Sequence, residues 1–204
     1  MERWISTQTK TKSNILPRDG MVYYYGIIML QEQADKYLEL LLKNILWQND
    51  ELVIFGNRIV TKRKVAWYGD SDYLYNYSNS TKQALQWTKE LIRVKQLVEK
   101  LTEVNFNSCL LNLYHNGNEG IGWHSDDEKI LGEINTIASL SFGAERKFLF
   151  KHKQTKQIVS LVLEHGSLLV MKDSTQLNWL HSLPKSKKIN KPRINLTFRT
   201  IMSS

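Results

Sequence analysis

The sequence predicts an α+β fold whose core is a β-sandwich or jelly roll. Three observations carry that reading. Two segments in the first half repeat apolar side chains at helical spacing. From residue 105 the pattern changes to seven short β-type runs divided by turn residues. At 204 residues with 42% hydrophobic side chains, the chain suits one domain with a sizeable core. Helices first and many short strands after is the order of an α+β chain.

The elements follow in order. The opening stretch "MERWISTQTKTKSNILPRDG" is polar and lacks the apolar centre of a secretory signal, so it reads as an N-terminal arm. Residues 31–47 place Ala34, Leu38, Leu41, Leu42 and Ile45 on one helical face. A second helix is expected over 80–104, with Ser80 as its cap and Leu85, Ile92, Leu97 and Leu101 as its stripe. Both helices read as supports for the core. The strand runs are "FNSCLLNLYHNG", "NTIASLSFG", "RKFLFKHK", "QIVSLVLEHG", "SLLVMKD", "WLHSLP" and "PRINLTFRTI". No repeat or low-complexity linker divides them.

Composition excludes several classes. No apolar run reaches the roughly 18–20 residues of a membrane span. The single cysteine, Cys109, rules out an internal disulfide and suits a reducing compartment. A cytoplasmic or nuclear protein is expected, not a secreted one, and nothing suggests more than a monomer. The net charge of +8 is clustered in "TKRK", "KHKQTK" and "KSKKINK". Such clusters fit a polyanion such as nucleic acid, or ordinary solubilising charge.

Chemistry concentrates in two places. In "RINLTFR", residues 193–199, strand alternation puts Ile194, Leu196 and Phe198 on one face and Arg193, Asn195, Thr197 and Arg199 on the other. If both faces are covered, two buried guanidinium groups need partners, and the strand has no acid. A small dicarboxylate would resolve this, because arginine binds carboxylate bidentately. The alternative is an edge strand with its arginines in water. In "LLNLYHN", Asn112 and Tyr114 likewise share a face, as ligand-holding groups or as satisfied core hydrogen bonds. The second place is "IGWHSDDEKI". His124 and Asp126 point the same way on extended chain and need a third ligand. His115, His152, His165 and His181 are the candidates, and His181 stands in "WLHSLP" just before the double-arginine strand. Two histidines and one carboxylate form the facial triad that binds Fe(II) with three positions open. Triad and dicarboxylate together point to an oxygenase that uses 2-oxoglutarate and dioxygen. Glu128 is left as a solvated acid.

These residues also carry a resemblance. "NLYHNGNEGIGWHSDDE", "IASLSFGAERKFLFKHK", "LEHGSLLVMKD", "HSLP" and "PRINLTFR" resemble the AlkB family of Fe(II)/2-oxoglutarate-dependent dioxygenases. Within it they are most similar to the duplex-DNA repair branch, vertebrate AlkB homologue two. The likeness covers residues 52–200. It implies a double-stranded β-helix (jelly roll, cupin-like) core at 105–200, supported by the arm and helix of 1–50, with a nucleotide-recognition lid at 51–80. The whole chain, 1–204, would be a single dioxygenase domain. His124, Asp126 and His181 would be the catalytic iron ligands. Asn112, Tyr114, Arg193, Thr197 and Arg199 would bind 2-oxoglutarate. Substrate contacts would come from Phe55, Gly56 and Asn57 of a base-gap finger, from Arg63 and Lys64 on phosphates, and from Tyr75 and Tyr77 in the pocket. Asp127 would face the damaged base, and Lys187 and Lys188 would meet the backbone. The hairpin after "FLFKHK" is shorter here than in that branch. The implied reaction is oxidative demethylation of 1-methyladenine and 3-methylcytosine in DNA, direct reversal that releases formaldehyde, succinate and CO2. Its partner would be alkylated DNA, duplex included. The same chemistry on RNA, or a nucleic-acid-binding module without activity, are the alternatives.

Overall fold

The computed structural model describes residues 13–54, 57–77, 80–132 and 135–202. Strand β1 (Met21–Ile27) leads into helix α1 (Gln31–Asn44). Next come β2 (Gln48–Ile54), β3 (Asn57–Gly69), β4 (Leu74–Tyr77), β5 (Ser80–Gln83) and β6 (Leu85–Gln86). Helix α2 (Lys89–Thr102) precedes β7 (Ser108–Tyr114), β8 (Ile121–His124), β9 (Ile137–Gly143) and β10 (Arg146–His152). The chain closes with β11 (Ile158–Leu163), β12 (Ser167–Lys172), the short α3 (Thr175–Asn178), β13 (Trp179–Leu183) and β14 (Arg193–Arg199).

Two sheets carry the molecule. The larger has eight strands in the order β1-β12-β9-β14-β7-β3-β2, with β6 paired to β3. The smaller runs β11-β10-β13-β8, and β4 and β5 form a separate ribbon. From β7 to β14 the chain alternates between the two sheets, with β10 and β11 as a hairpin inside the smaller one, which is the winding of a double-stranded β-helix. One apolar cluster joins the sheets, with Ile137, Leu169 and Met171 meeting Phe150, Trp179 and Leu183. A second lies between the other face of the large sheet and the helices, where Leu111, Leu140, Ile194, Leu196 and Phe198 meet Leu41, Leu91, Val94 and Val98.

The terminal strand is central, not an edge. β14 pairs with β7 on one side and with β9 on the other. Ile194, Leu196 and Phe198 are wholly buried toward the helices. The opposite residues therefore face the small sheet.

Several boundaries differ from the sequence expectation. The second helix starts at Lys89, and Thr88 caps it by accepting from the Leu91 N–H at 3.3 Å. Ser80 instead opens β5. Residues 80–86 are recruited by backbone pairing, with β5 on β4 and β6 parallel to β3. Helix α1 ends at Asn44 because Ile45 is extended, and the Trp47 indole donates to the Leu41 carbonyl at 3.2 Å. Tyr37, not Leu42, completes its buried stripe. Directly after that arm, β1 pairs with β12 along the large sheet. Residues 57–69 extend that sheet against β7. Among the described residues, no helix is long and apolar enough to cross a membrane.

Candidate active site

A pocket opens between the two sheets, and β14 forms its floor through Arg193, Asn195, Thr197 and Arg199. Neighbouring β7 adds Asn112 and Tyr114 by the same alternation. The small sheet supplies the opposite wall, with His124 from β8 and His181 from β13.

His124 and His181 are cross-strand partners, and their rings meet edge to face at 4.2 Å. Asp126 follows β8 and folds back toward them. Ligand atoms of the three side chains all lie within 4.8 Å of one another. His124 Nδ1 stands 2.9 Å from the Gly122 carbonyl oxygen, so that ring nitrogen carries the proton and Nε2 is the one offered. Burial pushes His181 down to about 3, helped by His124 and opposed by Asp126, so its ring is neutral at physiological pH. Phe148 stacks on His181 at 5.6 Å and limits its rotation.

Asp126 is buried and doubly held. Its Oδ2 accepts from Arg199 Nη2 at 2.8 Å, and its backbone N–H donates to Gln176 Oε1 at 2.9 Å. Burial alone would raise its carboxyl, but Arg199, His181 and His124 outweigh burial and hold it below the usual range. The Nε2 that His124 offers, the neutral His181 ring and the ionised Asp126 carboxylate make the donor set a divalent cation needs.

The other end of the pocket is cationic. Arg193 is 2% exposed. Its Nη2 donates to Ser141 Oγ at 3.0 Å, and its Nε finds no partner among the described residues. No carboxylate pairs with it there. Burial pushes its guanidinium down to about 10, with Tyr114 opposing and Arg146 reinforcing. A buried guanidinium with an unused N–H fits a ligand carboxylate. Thr197 Oγ1 donates to Asn195 Oδ1 at 3.2 Å, while Asn195 donates to Ser139 Oγ at 2.8 Å.

The remaining histidines are engaged elsewhere. His115 Nδ1 lies 3.0 Å from Glu119, and His152 Nε2 lies 3.1 Å from Asp19. His165 Nδ1 accepts from the Gly143 N–H at 2.8 Å. Among the described residues only His181 completes a set with His124 and Asp126.

The expected substrate residues divide. Phe55 and Gly56 lie outside the described residues, as do the side chains of Asn57, Tyr75 and Tyr77. Arg63 is a correction. It points into the pocket, buried and ion-paired with Asp50, because it shares the inward face of β3 with Val65 and Trp67. It is not turned outward to a phosphate. Asp127 is exposed at the rim, outside the pocket wall, and accepts from Ser125 Oγ at 2.9 Å. Lys187 and Lys188 are exposed on the loop between β13 and β14. Glu128, expected in solvent, is half-buried and lines the pocket. Gln176 was not expected at all. Its partner stands 50 residues away, so no local spacing could signal it.

A family model described as the 2OG-Fe(II) oxygenase superfamily matches residues 20–199. The chain belongs to that superfamily. Within it the chain belongs to the AlkB family. It is 38% identical to the DNA oxidative demethylase ALKBH2 of Bos taurus over 195 residues, 90% of this chain and 70% of that protein. It is 37% identical to the Homo sapiens ALKBH2, covering 90% and 75%. It is also 37% identical to the alpha-ketoglutarate-dependent dioxygenase alkB homolog 3 of Bos taurus, covering 86% and 64%. Among solved structures, OsALKBH1 superposes with a TM-score of 0.62 at 16% identity, covering 91% and 98%. A 2OG-Fe(II) oxygenase of Burkholderia pseudomallei gives 0.58 at 10% identity, covering 89% and 84%. These two share the fold. A 2OG-Fe(II) oxygenase uses Fe(II), 2-oxoglutarate and dioxygen. The triad fits the metal, and the unpaired Arg193 fits the co-substrate's second carboxylate.

Proposed function

We propose that this chain oxidatively demethylates N-alkylated bases in DNA, 1-methyladenine and 3-methylcytosine among them, and so reverses the damage directly. One observation carries the reading. A His-Asp-His set and a buried arginine without an acidic partner face one pocket, in a chain 38% identical to a DNA oxidative demethylase.

In this reading His124, Asp126 and His181 hold Fe(II). Asn112, Tyr114, Arg193, Thr197 and Arg199 hold 2-oxoglutarate, with Arg193 on the distal carboxylate. Bound together, Fe(II), 2-oxoglutarate and dioxygen supply the oxidation that hydroxylates the N-methyl carbon, giving succinate and CO2, and the hydroxymethyl group then leaves as formaldehyde. The chain's own contribution is orientation and dryness. Gly122 fixes the His124 tautomer, while Arg199 and Gln176 fix Asp126. Phe148, Leu183 and Met171 line the pocket and exclude water. Methylated bases of this class are cationic, and Glu128 in the wall with Asp127 at the rim are the acids that suit them. The methyl group also blocks pairing, which lowers the cost of everting the base. Residues 51–80 serve as the nucleotide-recognition lid, and a DNA substrate places the protein in the cytoplasm or nucleus.

The test is product analysis on methylated single-stranded DNA, duplex DNA and RNA with Fe(II) and 2-oxoglutarate. Formaldehyde and unmodified base are expected from DNA. Asp126→Ala should abolish both formaldehyde and succinate. Turnover unchanged in that variant would sink the metal assignment, and turnover confined to RNA would sink the DNA assignment.

A further inference from the structure

Tyr114 is ringed by three arginines. The guanidinium carbons of Arg193, Arg63 and Arg146 lie 5.5, 5.9 and 5.9 Å from its ring centroid. Arg63 has Asp50 as its counter-ion. Arg193 faces the pocket. Arg146, at the start of β10, is 1% exposed and does not line the pocket. Its Nη2 donates to the Glu119 and Pro184 carbonyls, each at 2.8 Å. Its Nε and Nη1 have no partner among the described residues. The acid that bears on it, Glu119, is committed to His115, accepting from the His115 backbone N–H at 2.9 Å and standing 3.0 Å from its Nδ1.

A buried guanidinium satisfied by two carbonyls, with donors to spare, is a costly element to keep for packing alone. Arg146 and Arg193, each buried with N–H groups to spare, flank one phenol ring and leave this end of the pocket with buried positive charge. An incoming carboxylate relieves it.

We propose that Arg146 is a positioning residue for the dicarboxylate co-substrate: from behind Tyr114 it adds the charge that makes this pocket select a second carboxylate. The inference rests on the assignment of Arg193 to the distal carboxylate of 2-oxoglutarate. Arg146 touches neither ligand nor metal. It acts through Tyr114 and through the field at Arg193, which its own charge disfavours in the absence of an anion. The two carbonyls it holds belong to the turn before β8 and to the loop after β13. It therefore also ties the end of the pocket to the strands that carry His124 and His181.

The test compares two co-substrates on Mn(II)-loaded protein without nucleic acid. One is 2-oxoglutarate, and the other is 2-oxopentanoate, the same chain without the distal carboxylate. Dissociation constants come from thermal-shift titration. Wild type should prefer 2-oxoglutarate strongly. Arg146→Met should shrink that preference by about tenfold or more, a factor worth about 1.4 kcal/mol. Arg146→Lys keeps the charge and should hold the preference within about threefold, a difference under about 0.7 kcal/mol. A variant that weakens both ligands equally, or leaves their ratio alone, overturns the role. If Arg146→Met does not fold, Glu119→Gln decides. Removing that acid should raise the preference for 2-oxoglutarate, and no change or a fall overturns the proposal. A wild type without any preference would instead overturn the Arg193 assignment itself.

Discussion

Asp126 meets two opposed demands. It must stay ionised while almost wholly buried, and it must hold one rotamer while its partners differ in kind. Arg199 answers the first with a charge at 2.8 Å. Gln176 answers the second by taking the backbone N–H rather than the carboxylate. With Oδ2 on Arg199, the carboxylate's Oδ1 is the atom turned toward His124. Groups that orient a ligand in this way typically change metal affinity about 10–100-fold when removed. Gln176→Leu keeps the volume and removes the acceptor. It should weaken Mn(II) binding by about tenfold in a chelator competition, with little change in far-UV circular dichroism. An unchanged affinity would show that Asp126 needs no such support. The clustering of His124, Asp126 and His181 was legible in the sequence because their spacing and neighbours have a chemical meaning. Gln176 was not, since an amide inside "STQLN" says nothing about a strand end 50 residues earlier. The same holds for the pair between His152 and Asp19, separated by 133 residues.

At the scale of elements, β14 was readable because a strand has a strict period of two. Its apolar face and its arginine face follow from the letters alone, and pairing on both sides makes both faces matter. The start of α2 was not readable. Ser80 is a genuine capping residue type, but residues 80–86 gain more from ribbon and sheet pairing than from a helical turn. Arg63 failed for a related reason. Its cluster looks like a surface patch in sequence, yet alternation along β3 turns Arg63 inward together with Thr61, and both reach Asp50. The end of β9 gives a test at this scale. Gly143 has a φ of +84, and a Cβ there would meet the Pro192 carbonyl oxygen at 2.4 Å. Its backbone also pairs with Arg193. Gly143→Ala should cost about 1–3 kcal/mol of stability. It should also weaken 2-oxoglutarate binding more than metal binding, because the strain falls where β14 begins. A variant with unchanged melting temperature and unchanged co-substrate affinity would contradict that placement.

The whole molecule separates two kinds of positive charge. The basic side chains behind the +8 net charge include arginines that line the pocket, Arg63, Arg193 and Arg199, and others that face solvent, Lys187, Lys188, Arg18 and Arg93 among them. Only the second kind can release counter-ions from a nucleic-acid backbone. For single strands, the logarithm of affinity falls with the logarithm of salt by about 0.7 per neutralised phosphate. Four lysine contacts would give a slope of about 3, or roughly a fiftyfold loss of affinity between 50 and 200 mM salt. Lys187→Ala with Lys188→Ala should lower that slope by about 1.4 and leave the 2-oxoglutarate affinity alone. Arg63→Gln should do the reverse. Its guanidinium is buried against Asp50 and faces the pocket, so the slope should hold while base and co-substrate binding suffer. Filter binding of a methylated oligonucleotide across a salt series measures both variants against the parent. A slope that drops for Arg63→Gln, or stays fixed without the two lysines, would mean that the nucleic acid follows another face of the molecule.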